Sequence, residues 1–117
     1  MSSGVRLILT TCPEEAVETL ATGLLERRLV ACVNVVRGVV SRYWWKGKLV
    51  RDDEALLLLK TRTEDVKDVI AALRDLHPYD LPEALALPVE EGNPAYLDWV
   101  REVTERPGPE APETPAT

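Results

Sequence analysis

The stretch Val30–Thr61 constrains the fold of this chain more than any other. Two runs rich in β-forming residues flank Lys46-Gly47, and an X-Gly pair between two such runs is typical of a two-residue hairpin turn. With these residues in the turn, Trp45 faces Lys48 across the hairpin. The stretch therefore predicts a β-hairpin much longer than a usual strand of about five or six residues.

The two strands of this hairpin are apolar in a way that predicts burial on both sides. If the same pairing continues to the base of the hairpin, Cys32 lies opposite Thr61, with room for a β-bulge at Gly38. The returning strand is continuously apolar from Ala55 to Leu59, whereas a strand with one solvated face alternates. Because so short a chain has few helices, we expect a second copy of the protein to cover the second face.

Composition excludes several classes of function. A chain of 117 residues with 29% charged residues and no run of about 20 apolar residues is a single soluble domain, not a membrane protein. The start of the chain lacks the features of a signal peptide, and two cysteines suit a reducing compartment, so we expect a cytoplasmic protein. A net charge of −6 with scattered basic residues argues against nucleic acid as a partner. The absence of Gln and the single Met favour thermostability.

The remaining chain predicts two strands and three helices around the hairpin. The strands are expected at 5–9 and 84–89, and the helices follow Pro13, Thr63 and Asn93-Pro94. The order β-α-β-β-α-β plus a C-terminal helix predicts an α+β, ferredoxin-like sandwich with an antiparallel sheet. This single domain spans 1–105, and the proline-rich segment 106–117 is expected to be a disordered tail.

The predicted topology places the cysteines at opposite ends of the sheet. Cys12 follows the first strand and is expected at the same end of the sheet as the loop that begins at His77. The second strand begins at Cys32, beside Lys60 at the other end. The two thiols are therefore expected to be too far apart for a disulfide within one protomer.

At this point several spaced motifs resemble one known family. They are ACVNVV (31–36), the S-x-Y-x-W of Ser41, Tyr43 and Trp45, GK (47–48), LLLLKT (56–61), HPYDLPE (77–83) and YLDW (96–99). Together they resemble the CutA divalent-cation tolerance family over residues 5 to 104. The resemblance implies a homotrimer assembled like the PII signalling proteins, with hairpins that reach across neighbouring subunits. It also implies a link to tolerance and binding of copper and other divalent ions, with no defined reaction.

Three residues are candidate metal ligands. The only imidazole, His77, suits copper or zinc, and the resemblance places a metal-linked position in its segment; alternatively, His77 fixes its loop through hydrogen bonds to the backbone. Cys12 precedes a helix N-terminus, where the helix dipole lowers a thiol pKa; the favoured alternative is a solvent-side residue of the strand–helix turn. Cys32 is a less favoured ligand, because a mid-strand cysteine is usually a small buried hydrophobe. A copper site made of these residues would be weak or shared between subunits.

A second group of residues is predicted to line a cleft between subunits. Its members are charged or aromatic: Lys60, Tyr79, Glu83, Tyr43, Trp45 and Asp52. Such a cleft would suit a small anionic ligand, and the alternative is interface packing by rigid aromatic rings. We interpret the acidic run 52–54 as solvated charges that protect a strand edge.

No pattern typical of an enzyme is present in the sequence. It has no nucleophile–base pair, phosphate-binding glycine loop or dinucleotide motif, so we expect no enzyme and no organic cofactor. The sequence therefore predicts a copper-binding, trimeric tolerance protein. The alternative is a PII-like module that binds a small molecule or a partner between its subunits.

Overall fold

A computed structural model describes residues 3–106 of the chain. The strands are β1 (Val5–Cys12), β2 (Cys32–Trp45), β3 (Lys48–Arg62) and β4 (Leu85–Val89), and the helices are α1 (Val17–Glu26), α2 (Val66–Leu76) and α3 (Pro94–Val103). Short 3-10 turns lead into α1 and α2. Apart from Arg106, the predicted tail lies outside the described residues.

The four strands form one antiparallel sheet in the order β2-β3-β1-β4. Apolar side chains of α1 and α2, including Leu20, Leu24 and Leu73, join those of β1 and β3 in one buried core. This arrangement confirms the α+β, ferredoxin-like prediction, and Pro88 lies on an edge strand as expected. Within residues 3–106, each helix is too short or too polar to cross a bilayer.

The hairpin of β2 and β3 turns at the predicted position. Lys46 and Gly47 both have positive φ, at 50° and 78°, the combination that a two-residue type I′ turn requires. Trp45 pairs with Lys48, as expected. The predicted bulge lies between Val36 and Val39.

The predicted pairing at the base of the hairpin is wrong by one residue. Cys32 pairs with Lys60 and not with Thr61. The bulge is the reason, because it places two residues of β2, Arg37 and Gly38, where β3 has only one. Gly38 adopts the left-handed conformation at φ 74°, and its N–H donates to Glu14 Oε1 at 3.2 Å.

Within residues 3–106, the helices α1 and α2 cover one face of the sheet at the base of the hairpin. Ala55, Leu57 and Leu59 are completely buried beneath α1 and α2. On the other face, α3 contacts β1 and β3 and buries Val5 and Val100. Beyond α3, no other helix of residues 3–106 covers this face. We call this surface the open face; strand pairing places on it Val36, Leu56, Leu58, Leu85 and Leu87.

A buried ion-pair cluster joins the end of α3 to the start of α2. Asp65 is 2% exposed and accepts hydrogen bonds from Arg62 Nε at 2.9 Å and from Arg106 Nη2 at 2.6 Å. Arg106 also donates to the carbonyl of Arg28 at 2.8 Å. The segment after α3 is therefore held against the end of α1 and the start of α2.

Candidate ligand cleft and metal ligands

A cleft of about 700 Å³ lies between the outer half of the hairpin and the loop that follows α2. Its walls combine aromatic and acidic side chains, among them Tyr43, Trp44, Trp45, Glu54, Tyr79 and Glu83. This volume falls within the range of roughly 300–1,000 Å³ that is usual for small-molecule sites.

His77 fixes the loop that forms one wall of this cleft. Its ring is 6% exposed, and Nε2 lies 2.8 Å from the carbonyl oxygen of Thr11, at the end of β1. The N–H of Tyr79 donates to Nδ1 at 3.1 Å. Since Nδ1 accepts a hydrogen bond, Nε2 carries the proton and donates it to Thr11. These contacts match the alternative role considered for His77, in which the ring fixes its loop through hydrogen bonds to the backbone.

Tyr79 extends from this loop to a buried carboxylate of β3. Its hydroxyl donates to Glu54 Oε2 at 2.7 Å, and Glu54 is 3% exposed. Burial and the hydrogen bond to Glu54 both raise the pKa of Tyr79 well above its ordinary value. The interpretation of the acidic run as wholly solvated is therefore wrong for Glu54. Because side chains alternate along a strand, Glu54 shares a face with Leu56 and not with the buried Leu57, so strand alternation gave no signal for its burial.

Tyr43 makes a similar pair on the exposed part of the hairpin. Its hydroxyl donates to Asp52 Oδ2, and this hydrogen bond raises the pKa of Tyr43 to about 12. Tyr43 and Asp52 lie on adjacent strands, where Tyr43 pairs directly with Val50. This hydrogen bond helps to fix the Tyr43 ring in the wall of the cleft.

The charged groups of the cleft are mostly acidic. Glu54, Asp80 and Glu83 line it, against one guanidinium, that of Arg42. Burial raises the pKa of Glu83, and the nearby charge of Glu54 raises it further. This balance is the reverse of the one that favours the anionic ligand expected from the sequence.

The structure brings together most of the residues predicted for the cleft. Tyr43, Trp45, Tyr79 and Glu83 line it, and Asp52 is bonded to Tyr43. Lys60 is not part of it, because it pairs with Leu7 and Cys32 at the opposite end of the sheet.

Four charged or aromatic lining residues were missed by the sequence-based set: Arg42, Trp44, Glu54 and Asp80. Of these, Arg42 and Trp44 lie between predicted members on β2, and Asp80 lies in the loop between two others. Extending the set to these sequence neighbours would have found them.

Cys12 lies near His77, as the topology predicted, but its thiol is in the core. The side chain is fully buried, and burial, assisted by the charge of Glu54, raises the pKa of Cys12 to about 11. This shift is opposite to the lowering expected from a helix dipole, because loss of solvent outweighs the dipole.

Cys32 lies at the other end of the sheet, half-buried. Its Sγ is 3.8 Å from both Asn34 Oδ1 and Lys60 Nζ. Both cysteines are free, and they lie at opposite ends of the sheet, since Cys12 pairs with Ala55 and Cys32 with Lys60.

The donors present in one protomer do not fit a resident copper ion. Both nitrogens of His77 are engaged, the Cys12 thiol is protonated at neutral pH, and Cys32 is remote from both. Among residues 3–106, no three His, Cys, Asp or Glu side chains come together in a way that could hold a metal. The assignment of Cys12, His77 and Cys32 as ligands stays a prediction, one that needs donors from a second subunit.

Comparison with known proteins identifies the family. The model of the CutA1 divalent ion tolerance protein family matches residues 6–103. The divalent-cation tolerance protein CutA of Thermus thermophilus is 50% identical over 99 residues, which cover 84% of this chain and 96% of that protein. Human protein CutA is 45% identical over 102 residues, 86% of this chain, and the chain spans 57% of that longer relative.

Solved structures agree with this match. The crystal structure of CutA from Xylella fastidiosa has a TM-score of 0.85 at 42% identity and covers 87% of this chain and 99% of its own. The Thermus thermophilus structure has a TM-score of 0.83 at 48% identity, with 86% and 99% covered. The chain belongs to the CutA1 divalent ion tolerance protein family.

Proposed function

We propose that this chain is a homotrimeric divalent-cation tolerance protein that handles copper and catalyses no reaction. The observation that carries the tolerance role is the family match over residues 6–103. The trimer and the choice of copper go beyond that match. They are supported by separate features of the chain.

The open face supports self-assembly. Val36, Leu85 and Leu87 are 44%, 56% and 39% exposed, and they adjoin the half-buried Leu56 and Leu58 on one surface of the sheet. A contiguous apolar surface of this kind marks an interaction site. Trp44 is 71% exposed at the tip of the hairpin, and its ring would be buried if the hairpin packs along a neighbouring subunit.

In this proposal copper is cargo and not a resident cofactor. Cys12, His77 and Cys32 remain the proposed ligands, in a weak site shared between subunits. Copper ions prefer soft and borderline ligands such as thiolate and imidazole. To bind copper, the ring of His77 would have to release a hydrogen bond.

Equilibrium dialysis against copper and zinc, with bound metal counted per chain, tests this proposal. We expect a saturable copper stoichiometry near one per chain, lost in a Cys12→Ala/His77→Ala variant that still folds by circular dichroism. Cys32→Ser tests the less favoured ligand. Copper binding no greater than that of a cysteine-free variant would refute the copper assignment.

A second candidate function is a PII-like module that binds a small molecule. The cleft of about 700 Å³ with its buried Glu54 favours it specifically. A ligand that binds the folded protein raises its melting temperature. We expect such a rise with the small-molecule fraction of a cell extract, and an unchanged melting temperature would count against this function.

We place the protein in the cytoplasm. Both cysteines are free thiols, which suits a reducing compartment. The composition also favours thermostability, and a melting temperature above about 90 °C would support it. Fractionation of the source cells, with the protein followed by antibody, checks the location.

A further inference from the structure

Glu54 is a buried carboxylate that has no cationic partner in the protomer. It is 3% exposed, and its hydrogen bond comes from the neutral hydroxyl of Tyr79. In the described part of the chain, no Lys or Arg forms an ion pair with it. Carboxylates are almost never fully buried unless paired, because desolvation of the charge is costly. The protomer thus leaves a charge to be neutralised.

The surroundings of Glu54 increase the demand for positive charge. Asp80 and Glu83 line the same cleft, and Arg42 is the single basic residue among the described lining residues. The described lining thus contains three carboxyl groups and one guanidinium.

The walls of the cleft are suited to an organic cation. Tyr43, Trp45 and Tyr79 all line it, and the faces of such rings attract ammonium groups. One ring already has such a neighbour, since Lys46 Nζ lies 5.8 Å from the centre of the Trp45 ring. A single metal ion fits less well, because the volume is about 700 Å³ and no group of three metal-binding side chains is found within residues 3–106.

We propose that the cleft binds a small organic ammonium ion, a primary amine or a quaternary ammonium. Its charge pairs with Glu54, and its carbon substituents contact the rings of Tyr43, Trp45 and Tyr79. The inference rests on the second candidate function, the binding module, and names the chemistry of its ligand. It is independent of copper handling.

Isothermal titration of the full, assembled protein tests this inference with probes that differ in charge. The probes are choline, its neutral isostere 3,3-dimethyl-1-butanol, the anion 3,3-dimethylbutanoate, and 1,4-diaminobutane as a primary amine. We expect at least one of the two ammonium probes to bind. The neutral isostere and the anion should bind at least about tenfold more weakly than that probe, because they lack the positive charge that attracts Glu54 and the aromatic rings.

A matched pair of variants locates the binding site. Glu54→Gln keeps the size of the side chain and an acceptor for Tyr79, but removes the charge, so it should weaken ammonium binding by about tenfold or more. Asp53→Asn removes a neighbouring charge that is exposed to solvent and forms an ion pair with Arg51 at 3.3 Å, and it should leave binding unchanged. Glu83→Gln, in the cleft, should weaken binding as well.

Three results would overturn the inference. They are no binding of either ammonium probe, equal binding of choline and its neutral isostere, and unchanged affinity in Glu54→Gln. If the first is seen while the extract still raises the melting temperature, the cleft binds a ligand of another class. A basic side chain from a neighbouring subunit that already neutralises Glu54 would also give the first result.

Discussion

Two buried carboxylates of this protein, Asp65 and Glu54, are stabilised in different ways. Asp65 receives hydrogen bonds from the guanidinium groups of Arg62 and Arg106, whereas Glu54 receives one from the neutral Tyr79. A carboxylate between two guanidinium groups is neutralised within the fold. The first is therefore a structural group, and the second is available to a ligand.

Replacing Asp65 with Asn should destabilise the protein. Burial alone would raise the pKa of Asp65, but hydrogen bonds from Arg106 and Arg62 outweigh it and lower the pKa below its ordinary value. Removal of one partner from such a buried cluster costs about 3 kcal/mol of unfolding free energy. Denaturant unfolding at fixed protein concentration measures it. Asp98→Asn, which breaks the exposed pair with Arg101, is the control and should change stability little.

The contribution of Asp65 to the unfolding free energy should depend on pH. A lowered pKa in the folded state stabilises the protein fully above the unfolded-state pKa, near the ordinary value of 3.8, and this stabilisation is lost as the pH falls through the folded-state pKa. Over this acid range the wild type should lose stability more steeply than Asp65→Asn. Parallel curves for the two proteins would contradict the assignment.

Replacing Tyr79 with Phe should destabilise the protein more than replacing Tyr43 with Phe. Without the Tyr79 hydroxyl, the buried Glu54 loses its hydrogen-bond donor, which costs about 1–2 kcal/mol. Tyr43 pairs with Asp52 on the exposed hairpin, where water can replace the lost contact. Urea unfolding of both variants makes the comparison, and equal losses would show that the burial of Glu54 does not matter.

At the scale of elements, the hairpin was predictable from short-range sequence patterns. The turn at Lys46-Gly47, the bulge at Gly38 and the inward side chains of β3 follow from glycine placement and strand alternation. The pairing of Cys32 was predicted wrongly because the register was carried past Gly38 without the one-residue shift that the bulge introduces.

Replacing Gly38 with Ala should destabilise the bulge. A Cβ at this position would meet no atom within 4 Å, so any loss must come from the left-handed conformation at φ 74°. This conformation costs an L-residue about 1–2 kcal/mol. Gly38→Asn is the matched variant and should lose less, because Asn tolerates this region. Equal losses in thermal unfolding would point to another cause.

The candidate site was predictable in part, and its failures share a cause. Tyr43, Trp45, Tyr79 and Glu83 line one cleft because their motifs lie on the hairpin and on the loop after α2. The pKa of Cys12 was predicted in the wrong direction, since a local rule about helix ends ignores the burial of β1. Burial is produced by packing between distant segments, and a single sequence shows it only indirectly.

At the scale of the whole molecule, the open face should control assembly. We expect light scattering at micromolar concentration to give three times the 13.0 kDa mass of one chain. Leu87→Arg introduces a charge on the open face and should reduce the mass towards that of a monomer. Leu25→Arg is the control, because Leu25 is similarly exposed, at 41%, but lies on α1. A wild-type mass of 13.0 kDa would refute the trimer.

The strand order β2-β3-β1-β4 also determines how the molecule is completed during synthesis on the ribosome. The hairpin of β2 and β3 is local and can form early, whereas β1 must wait for both of its neighbours. The last of these, β4, is made just before α3, whose Arg101 then donates to the carbonyl of Ser3 at 2.6 Å. A nascent chain that stalls before Leu85 therefore presents β1 as an unpaired edge, which is prone to aggregate and is a natural target for chaperones.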